Sequence, residues 1–333
     1  MIKSIIIRIA IVLIGILVVL LGRGLFYYSG GYSPPASEMP SYEHIIVPAV
    51  PSTEFSDAYE QGEGIILIDL AHDNDFAIDE LNVLILRLIS RGLTIEFFKA
   101  GDVLEEELLG EEVVEEEKEE DKEEDREEAD QGEEVLDKEE ELEEELAMAD
   151  AFVVVCPQAE FSKKERETIG EFVNNGGKLL LIADPTRRGK MNSLSLNLGL
   201  IFEPDYLYNM KEFDANYRNI FVTEFKENEV TNDLEKIALY TVGSISSTDC
   251  GIAFVDQDTF SSLIETRKGL SPVALAQESK VLAIHDLTFI TEPYNGILDN
   301  NQLISNIADW LASPAEEKEE EIEEEQVGSS EKG

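Results

Sequence analysis

Four short apolar runs along the chain end in polar residues: Ile65–Asp75 (IILIDLAHDND), Ala151–Ser162 (AFVVVCPQAEFS), Lys178–Arg188 (KLLLIADPTRR) and Lys280–Phe289 (KVLAIHDLTF). Unbroken apolar runs of this length, with helical stretches beside them, are the pattern of parallel strands buried on both faces. Ile65–Leu70 predicts a first strand and Phe76–Ser90 a helix, with Asn74 or Asp75 as N-cap and Asp79 and Glu80 in its first turn. Arg91-Gly92 stops that helix, and Thr94–Phe98 predicts the second strand of a β-α-β unit. Leu142–Met148 supplies the last turns of a crossover helix before a strand at Ala151–Val155. Ser162 and Glu165 have capping-box spacing for a helix through Val173, and Asn174-Asn175-Gly176-Gly177 ends it before a strand at Lys178–Ala183.

The pattern continues with a helix over Met191–Leu200, a short apolar piece at Leu200–Phe202, and strands at Asn219–Phe225, Ile237–Ser244 and Gly251–Asp256. Val230–Lys236 reads as a turn or short helix. Pro272–Gln277 and Lys280–Ile284 predict a hairpin closed by Glu278-Ser279. Asn300–Ala312 closes the domain as a helix whose Leu303, Ile304, Ile307, Trp310 and Leu311 recur at helical spacing, which makes Trp310 a core residue.

In an open α/β sheet, ligands gather at the carboxyl ends of the strands. That rule selects Asp69, His72, Asp73, Asn74, Asp75, Asp184 and Asp286 as candidate ligand-binding residues, with His285 beside them. Their oxygens suit a cation or a small polar ligand. The competing reading, which is favoured, is structural: Asn74 or Asp75 caps a helix, His72 bonds a loop and Asp69 accepts from a loop amide. Cys156 with His285 is the one conceivable nucleophile–base pair, and Ser162 is a cap before it is a nucleophile. Arg187 and Arg188 are candidate anion ligands at the sheet edge, against a solvated loop, which is favoured. Asn192–Leu198 holds no Gly-rich phosphate cradle, so nucleotide binding has no support.

Ile9–Gly22 carries no charge and, with Ile5–Ile7 across Arg8, makes an apolar segment near bilayer length. Lys3 and Arg8 precede it and Phe26, Tyr27 and Tyr28 follow it, as an aromatic belt would; Arg23 weakens the charge asymmetry. Residues 1–28 therefore predict one N-terminal transmembrane helix, meeting the lipid bilayer through residues 5–22, with everything from Ser29 outside the cytoplasm. A cleaved signal peptide is the less favoured alternative, because neither an Ala-x-Ala-like site nor a lipobox cysteine follows. Residues 29–60, dense in Pro, Gly and Ser at their start, read as an extended linker.

The net charge of −46 is concentrated: Asp102–Leu146 holds 27 acidic residues against Lys118, Lys122, Arg126 and Lys138. An acidic insert over 102–146 and an acidic tail over 313–333 read as solvated spacers rather than calcium or basic-partner sites. Such a balance excludes most nucleic-acid roles, which need a basic footprint. The two cysteines, Cys156 and Cys250, do not make a disulfide scaffold. Cys156 reads first as a small buried hydrophobe, a Cys156–Cys250 disulfide is the lesser alternative, and no four-ligand zinc pattern is present.

The segment IILIDLAHDNDFAIDELNVLILRLISRGLTIEFF resembles the opening unit of an uncharacterised, partly membrane-anchored family with a class I glutamine-amidotransferase-like domain. It is also similar to related domains in gliding-motility transporter auxiliary proteins and in an intraflagellar-transport component. FVVVCPQAEFSKKERETIGEFVNNGGKLLLIADP and PVALAQESKVLAIHDLTFITEPYNGILDNNQLISNIADWL fit the same pattern. The resemblance implies a flavodoxin-like, mostly parallel sheet with helices on both faces over residues 61–312, interrupted by the acidic insert. Amidotransferases carry their nucleophile on a tight elbow flanked by small residues, whereas Pro157 and Gln158 follow Cys156 here, and Asp286 and Leu287 follow His285. The resemblance thus implies a non-catalytic member without cofactor. The expectation is a binding or scaffold domain with a protein partner, auxiliary to membrane transport or surface assembly. A hydrolase built on Cys156 and His285, and a ligand or cation sensor at the strand tips, are the alternatives.

Overall fold

Successive residues of the central strands enter two separate cores, and this period of two fixes the architecture. The computed structural model describes residues 2–28, 55–99, 127–263 and 269–313. In chain order the elements are α1 (Ile2–Tyr28), β1 (Ile65–Asp69), α2 (Asn82–Ser90), β2 (Thr94–Phe98), α3 (Glu127–Met148), β3 (Ala151–Val155), α4 (Lys163–Asn174), β4 (Lys178–Ile182) and α5 (Asn192–Ser195). There follow β5 (Leu200–Phe202), β6 (Leu207–Asn209), β7 (Asn219–Val222), β8 (Glu224–Phe225), β9 (Ile237–Tyr240), β10 (Ile245–Ser247), β11 (Gly251–Phe254), β12 (Thr259–Ser261), β13 (Val273–Ala276), β14 (Val281–Ile284) and α6 (Asn300–Ala312).

The central sheet runs β2-β1-β3-β4-β14-β13-β11-β8. Its first five strands are mutually parallel, and β13, β11 and β8 add an antiparallel edge. Ile66, Ile68, Val153, Val155, Leu180 and Ile182 pack with Leu84 and Leu88 of α2 and Leu303, Ile307 and Trp310 of α6. The alternate residues Leu67, Phe152, Val154, Leu179 and Leu181 pack with Leu142 and Leu146 of α3 and Ile169 and Val173 of α4. Helices therefore cover both faces, as the apolar runs predict. Each such side chain contributes about 1.5–3 kcal/mol by leaving water. Trp310 is a core residue, 1% exposed, and its Nε1 donates to the Ser279 carbonyl at 2.9 Å.

Several elements differ from expectation. The strand expected over Asn219–Phe225 is split, β7 pairing with β9 and β8 with β11 at the edge of the central sheet, and the one expected over Ile237–Ser244 ends at Tyr240. The helix expected from Phe76 begins as α2 at Asn82, after a 3-10 turn at Ile78–Leu81. Asn74 does not cap it, because its side chain is drawn to Asp69 and the Val155 carbonyl. The helix expected over Met191–Leu200 shortens to α5 and a 3-10 turn, halted by Gly199 at φ 77°. In the β13–β14 hairpin, pairing ends at Ala276 and Val281, so four residues make the turn, and Gln277, Glu278 and Ser279 all take left-handed φ.

Residues 29–54 of the expected linker, 100–126 of the acidic stretch and 314–333 of the tail lie outside the described residues. The linker's last residues are held to the domain. Asp57 pairs with Arg87 and with the fully buried Arg91, which also pairs with Asp309 at 2.6 Å. Phe55 and Tyr59 lie under those two guanidiniums.

By itself, α1 is one 27-residue helix. Among the described residues no helix is long and apolar enough to cross a membrane. The uncharged stretch between Arg8 and Arg23 is 14 residues, or ~21 Å of helix.

Candidate functional site

The tip of β1 is a closed polar lock. His72 Nδ1 lies 2.8 and 3.0 Å from the two Asp69 carboxylate oxygens, and Nε2 lies 3.2 Å from Glu165 Oε1. Phe161 stacks on the imidazole at 3.7 Å between centroids, and Lys138 Nζ sits 3.1 Å from both Glu165 Oε1 and His72 Nε2. Glu165 arrives through the predicted capping box, where Ser162 Oγ accepts from the Glu165 amide. Asp69 and His72 are fully buried. Burial penalises the His72 imidazolium, but hydrogen bonds to Asp69 and Glu165 outweigh it and raise its pKa. Burial likewise opposes the Glu165 carboxylate, yet His72 and the Ser162 amide hold its pKa down at about 2.

Asn74 ties the lock to the next strand: its Nδ2 donates to Asp69 Oδ2 and the Val155 carbonyl, and its Oδ1 accepts from the His72 amide. The Asp75 amide donates to the Cys156 carbonyl, and Asp73 makes the turn at φ 48°. The five predicted residues from Asp69 to Asp75 thus come together, with the hydrogen-bonding groups of Asp69, His72 and Asn74 turned inward.

Asp184 and Asp286 are also turned inward. Asp184 accepts from the amide and hydroxyl of Thr186 and from the Leu287 amide. Asp286 is fully buried, accepts from the Tyr240 and Thr288 amides at 2.7 Å each, and has its pKa pushed well above the carboxylate range by burial. Among the described residues no group of three or more His, Cys, Asp or Glu is placed to hold a metal ion.

Open space lies on the other side of β3. A pocket of about 300 Å³ is bounded by the tips of β3, β4 and β14 and by Phe202–Tyr206, and both Cys156 and His285 line it. Cys156 follows β3 directly and takes φ 43°, its amide bonded to the Ile182 carbonyl. A left-handed φ just after a strand is one feature of a nucleophile elbow, but α4 begins only at Lys163, so the tight strand-to-helix turn is not formed. Nor is the thiol activated. Burial, and after it the charge of Asp184, push its pKa up to about 12, so it is protonated at neutral pH. Cys156 and Cys250 are both free thiols.

His285 is 5% exposed, and its Nδ1 lies 3.1 Å from the Ser244 carbonyl. A carbonyl can only accept, so Nδ1 carries the proton and Nε2 holds the lone pair. Burial lowers the His285 pKa despite the carboxylates of Asp205, Asp184 and Glu203 nearby. The ring rests on Gly243, where a Cβ would collide with Nδ1 and Cε1. No hydrogen bond joins Cys156 to His285 among the described residues.

Asp205 and Tyr206 also line this pocket and escape the sequence reading. Leu200–Phe202 followed by Glu203-Pro204-Asp205-Tyr206 repeats the apolar-then-polar signature of the other tips. The strand is three residues long, too short for the signature to stand out.

The fold is a mixed α/β domain whose large, mostly parallel central sheet is covered by helices on both faces. No protein-family model matches the chain, and no curated protein matches it. Among solved structures it is similar to the mmIFT52 N-terminal domain, with TM-score 0.53 and 12% identity over 75% of this chain and 97% of that one. A ThuA-like protein from Parabacteroides merdae aligns at TM-score 0.41 and 11% identity, over 78% of this chain and 93% of that one. At such identities the likeness to the mmIFT52 domain shows the fold alone.

Proposed function

We propose that this chain is a membrane-anchored domain, displayed outside the cytoplasm, that acts by binding rather than by thiol catalysis, as an auxiliary of membrane transport or surface assembly. One observation carries the non-catalytic reading: Cys156 takes a left-handed φ at the tip of β3, yet its thiol is buried, held protonated and not bonded to His285. A nucleophilic cysteine needs the thiolate and a positioned base. Anchoring is supported by the 27-residue length of α1 and by Ile5–Gly22, 18 residues with Arg8 as their one charge. That stretch spans ~27 Å, close to the ~30 Å of a bilayer core, and Arg8 reaches the interface by extending its side chain.

The rival reading is an amidotransferase-type hydrolase, favoured by the left-handed Cys156 and by His285 on the same pocket. Iodoacetamide separates the two readings. The folded protein should leave Cys156 unlabelled at neutral pH, and Cys156→Ser should still recruit the partners that wild type recruits. Rapid labelling at Cys156, with an amidase activity lost in Cys156→Ser, would overturn the binding reading. For anchoring, deletion of residues 1–28 should release the protein from carbonate-washed membranes; retention of the truncated protein would refute it.

A further inference from the structure

Most polar groups around the pocket beside Cys156 are already engaged. Asp184 is occupied by Thr186 and Leu287, and Asp205 by the Ser244 amide and the hydroxyls of Ser244 and Ser261. Asn192 is bonded through both side-chain atoms to the Phe202 backbone. Arg187 makes a two-pronged ion pair with Glu80. The Glu203 carboxylate accepts from the Ser246 hydroxyl. What remains is Arg188, the Tyr206 hydroxyl and the Nε2 of His285. Neither Arg188 nor the Tyr206 hydroxyl makes a hydrogen bond or ion pair among the described residues.

Arg188 is exposed, and its guanidinium has no protein partner among the described residues of a chain of net charge −46. The other described arginines of the domain all have partners: Arg87 and Arg91 pair with Asp57, Arg187 with Glu80, Arg166 bonds the Phe161 carbonyl and Arg218 the Tyr217 hydroxyl. Arg188 stands alone at the rim of a pocket whose wall holds three carboxylates, Asp184, Glu203 and Asp205, each already accepting hydrogen bonds. We propose that this pocket binds a small hydroxylated monocarboxylate, with Arg188 clasping the carboxylate and His285 and Tyr206 taking its hydroxyls.

Three features select that chemistry. One planar guanidinium fork matches the two oxygens of one carboxylate. A dianion such as phosphate meets Asp184, Glu203 and Asp205 on the same wall, and a cation meets Arg187 and Arg188. The remaining groups, an imidazole acceptor and a phenol, complement hydroxyls rather than a bare alkyl chain. The volume of about 300 Å³ is at the small end for ligand sites and suits a few-carbon acid.

The inference rests on the binding reading above only in that the ligand is held and not consumed. Calorimetry on the detergent-solubilised full chain, at constant ionic strength, tests it with D-glycerate and D-gluconate as probes. Acetate, inorganic phosphate and glucose serve as controls. A hydroxy acid should bind at millimolar or lower concentration and more tightly than each control. Arg188→Ala should weaken it about ten-fold or more, as loss of a charge-assisted pair does; Arg188→Lys should lose less, and Tyr206→Phe a few-fold. Silence from both hydroxy acids, an affinity unmoved by Arg188→Ala, or equal binding of phosphate or glucose would overturn the proposal. Recovering the acid chemically altered would instead refute the non-catalytic reading and leave the site standing.

Discussion

The two polar regions at the strand tips, the His72 lock and the Cys156–His285 pocket, are built from the same residue types and treat them oppositely. In the lock each charge faces a partner: His72 sits between Asp69 and Glu165, and Lys138 reaches Glu165. In the pocket, Asp184 and Asp205 are filled by backbone amides and hydroxyls, while Arg188 and the Tyr206 hydroxyl are left over. Buried charges survive in a fold when they are paired and hydrogen-bonded. Polar groups left unpaired beside open volume contribute nothing to folding, and that is where a ligand gains most.

The comparison breaks most visibly under mutation. His72→Ala strands Asp69 and Glu165 as buried, partly unpaired carboxylates, and should cost about 3–5 kcal/mol. Arg188→Ala and Cys156→Ser touch no such network, and should stay within about 1 kcal/mol of wild type. Urea denaturation of the three variants checks this ordering. A His72→Ala loss no larger than that of Arg188→Ala would mean the lock is not structural.

The same contrast explains what the sequence could and could not convey. The apolar runs announce β1, β3 and β4 almost residue by residue, because a strand buried on both faces admits little else. α6 is equally plain, since its five apolar positions fall on one helical stripe. Of the small sheets, β7 and β9 lie within the strands expected at Asn219–Phe225 and Ile237–Ser244, whereas β6, β10 and β12, three residues each, are obscure. At the tips, spacing draws attention to His72 and His285 alike. It says nothing of Glu165, 93 positions from His72, or of Gly243, which sets the place of the His285 ring. Long-range partners decide whether a polar tip is lock or pocket, and one sequence does not carry them.

Gly243 gives the next effect. Its φ is unremarkable, but a methyl group there meets the His285 ring. Gly243→Ala should cost about 1–3 kcal/mol by overpacking and should move the His285 imidazole resonances while leaving those of His72 in place. Shifts at both histidines would show that lock and pocket are mechanically one unit.

The regions should also answer pH with opposite slopes. The folded pKa of His72 is raised above 6.5, so the stability it lends is complete below that pH and is lost as pH rises through the folded value. Glu165 falls from 4.5 to about 2, so its share is present above 4.5 and is lost as pH falls towards 2. His285, with its pKa lowered from 6.5, acts the other way from His72: acidification below 6.5 protonates it first in the unfolded chain and erodes stability. Subtracting the stability profile of His72→Gln from that of wild type should leave a difference that shrinks above neutral pH. A difference growing with alkalinity would contradict the assigned direction.

The smallest effect isolates one contact within the lock. Lys138 Nζ lies 3.1 Å from His72 Nε2, and Glu165 Oε1 lies 3.2 Å from that same nitrogen. When His72 is neutral with its proton on Nδ1, facing Asp69, Nε2 can accept from the ammonium. When His72 is protonated, Nε2–H donates to Glu165 and the ammonium becomes a like charge at contact distance. Lys138 therefore competes with a proton for His72 and holds its pKa below what Asp69 and Glu165 alone would set. Because the ammonium is partly exposed, solvent screens it. Lys138→Ala should raise the His72 pKa further, as read from the imidazole resonances in an NMR titration. An unchanged or lowered pKa would mean that Lys138 points into solvent and that the lock closes without α3.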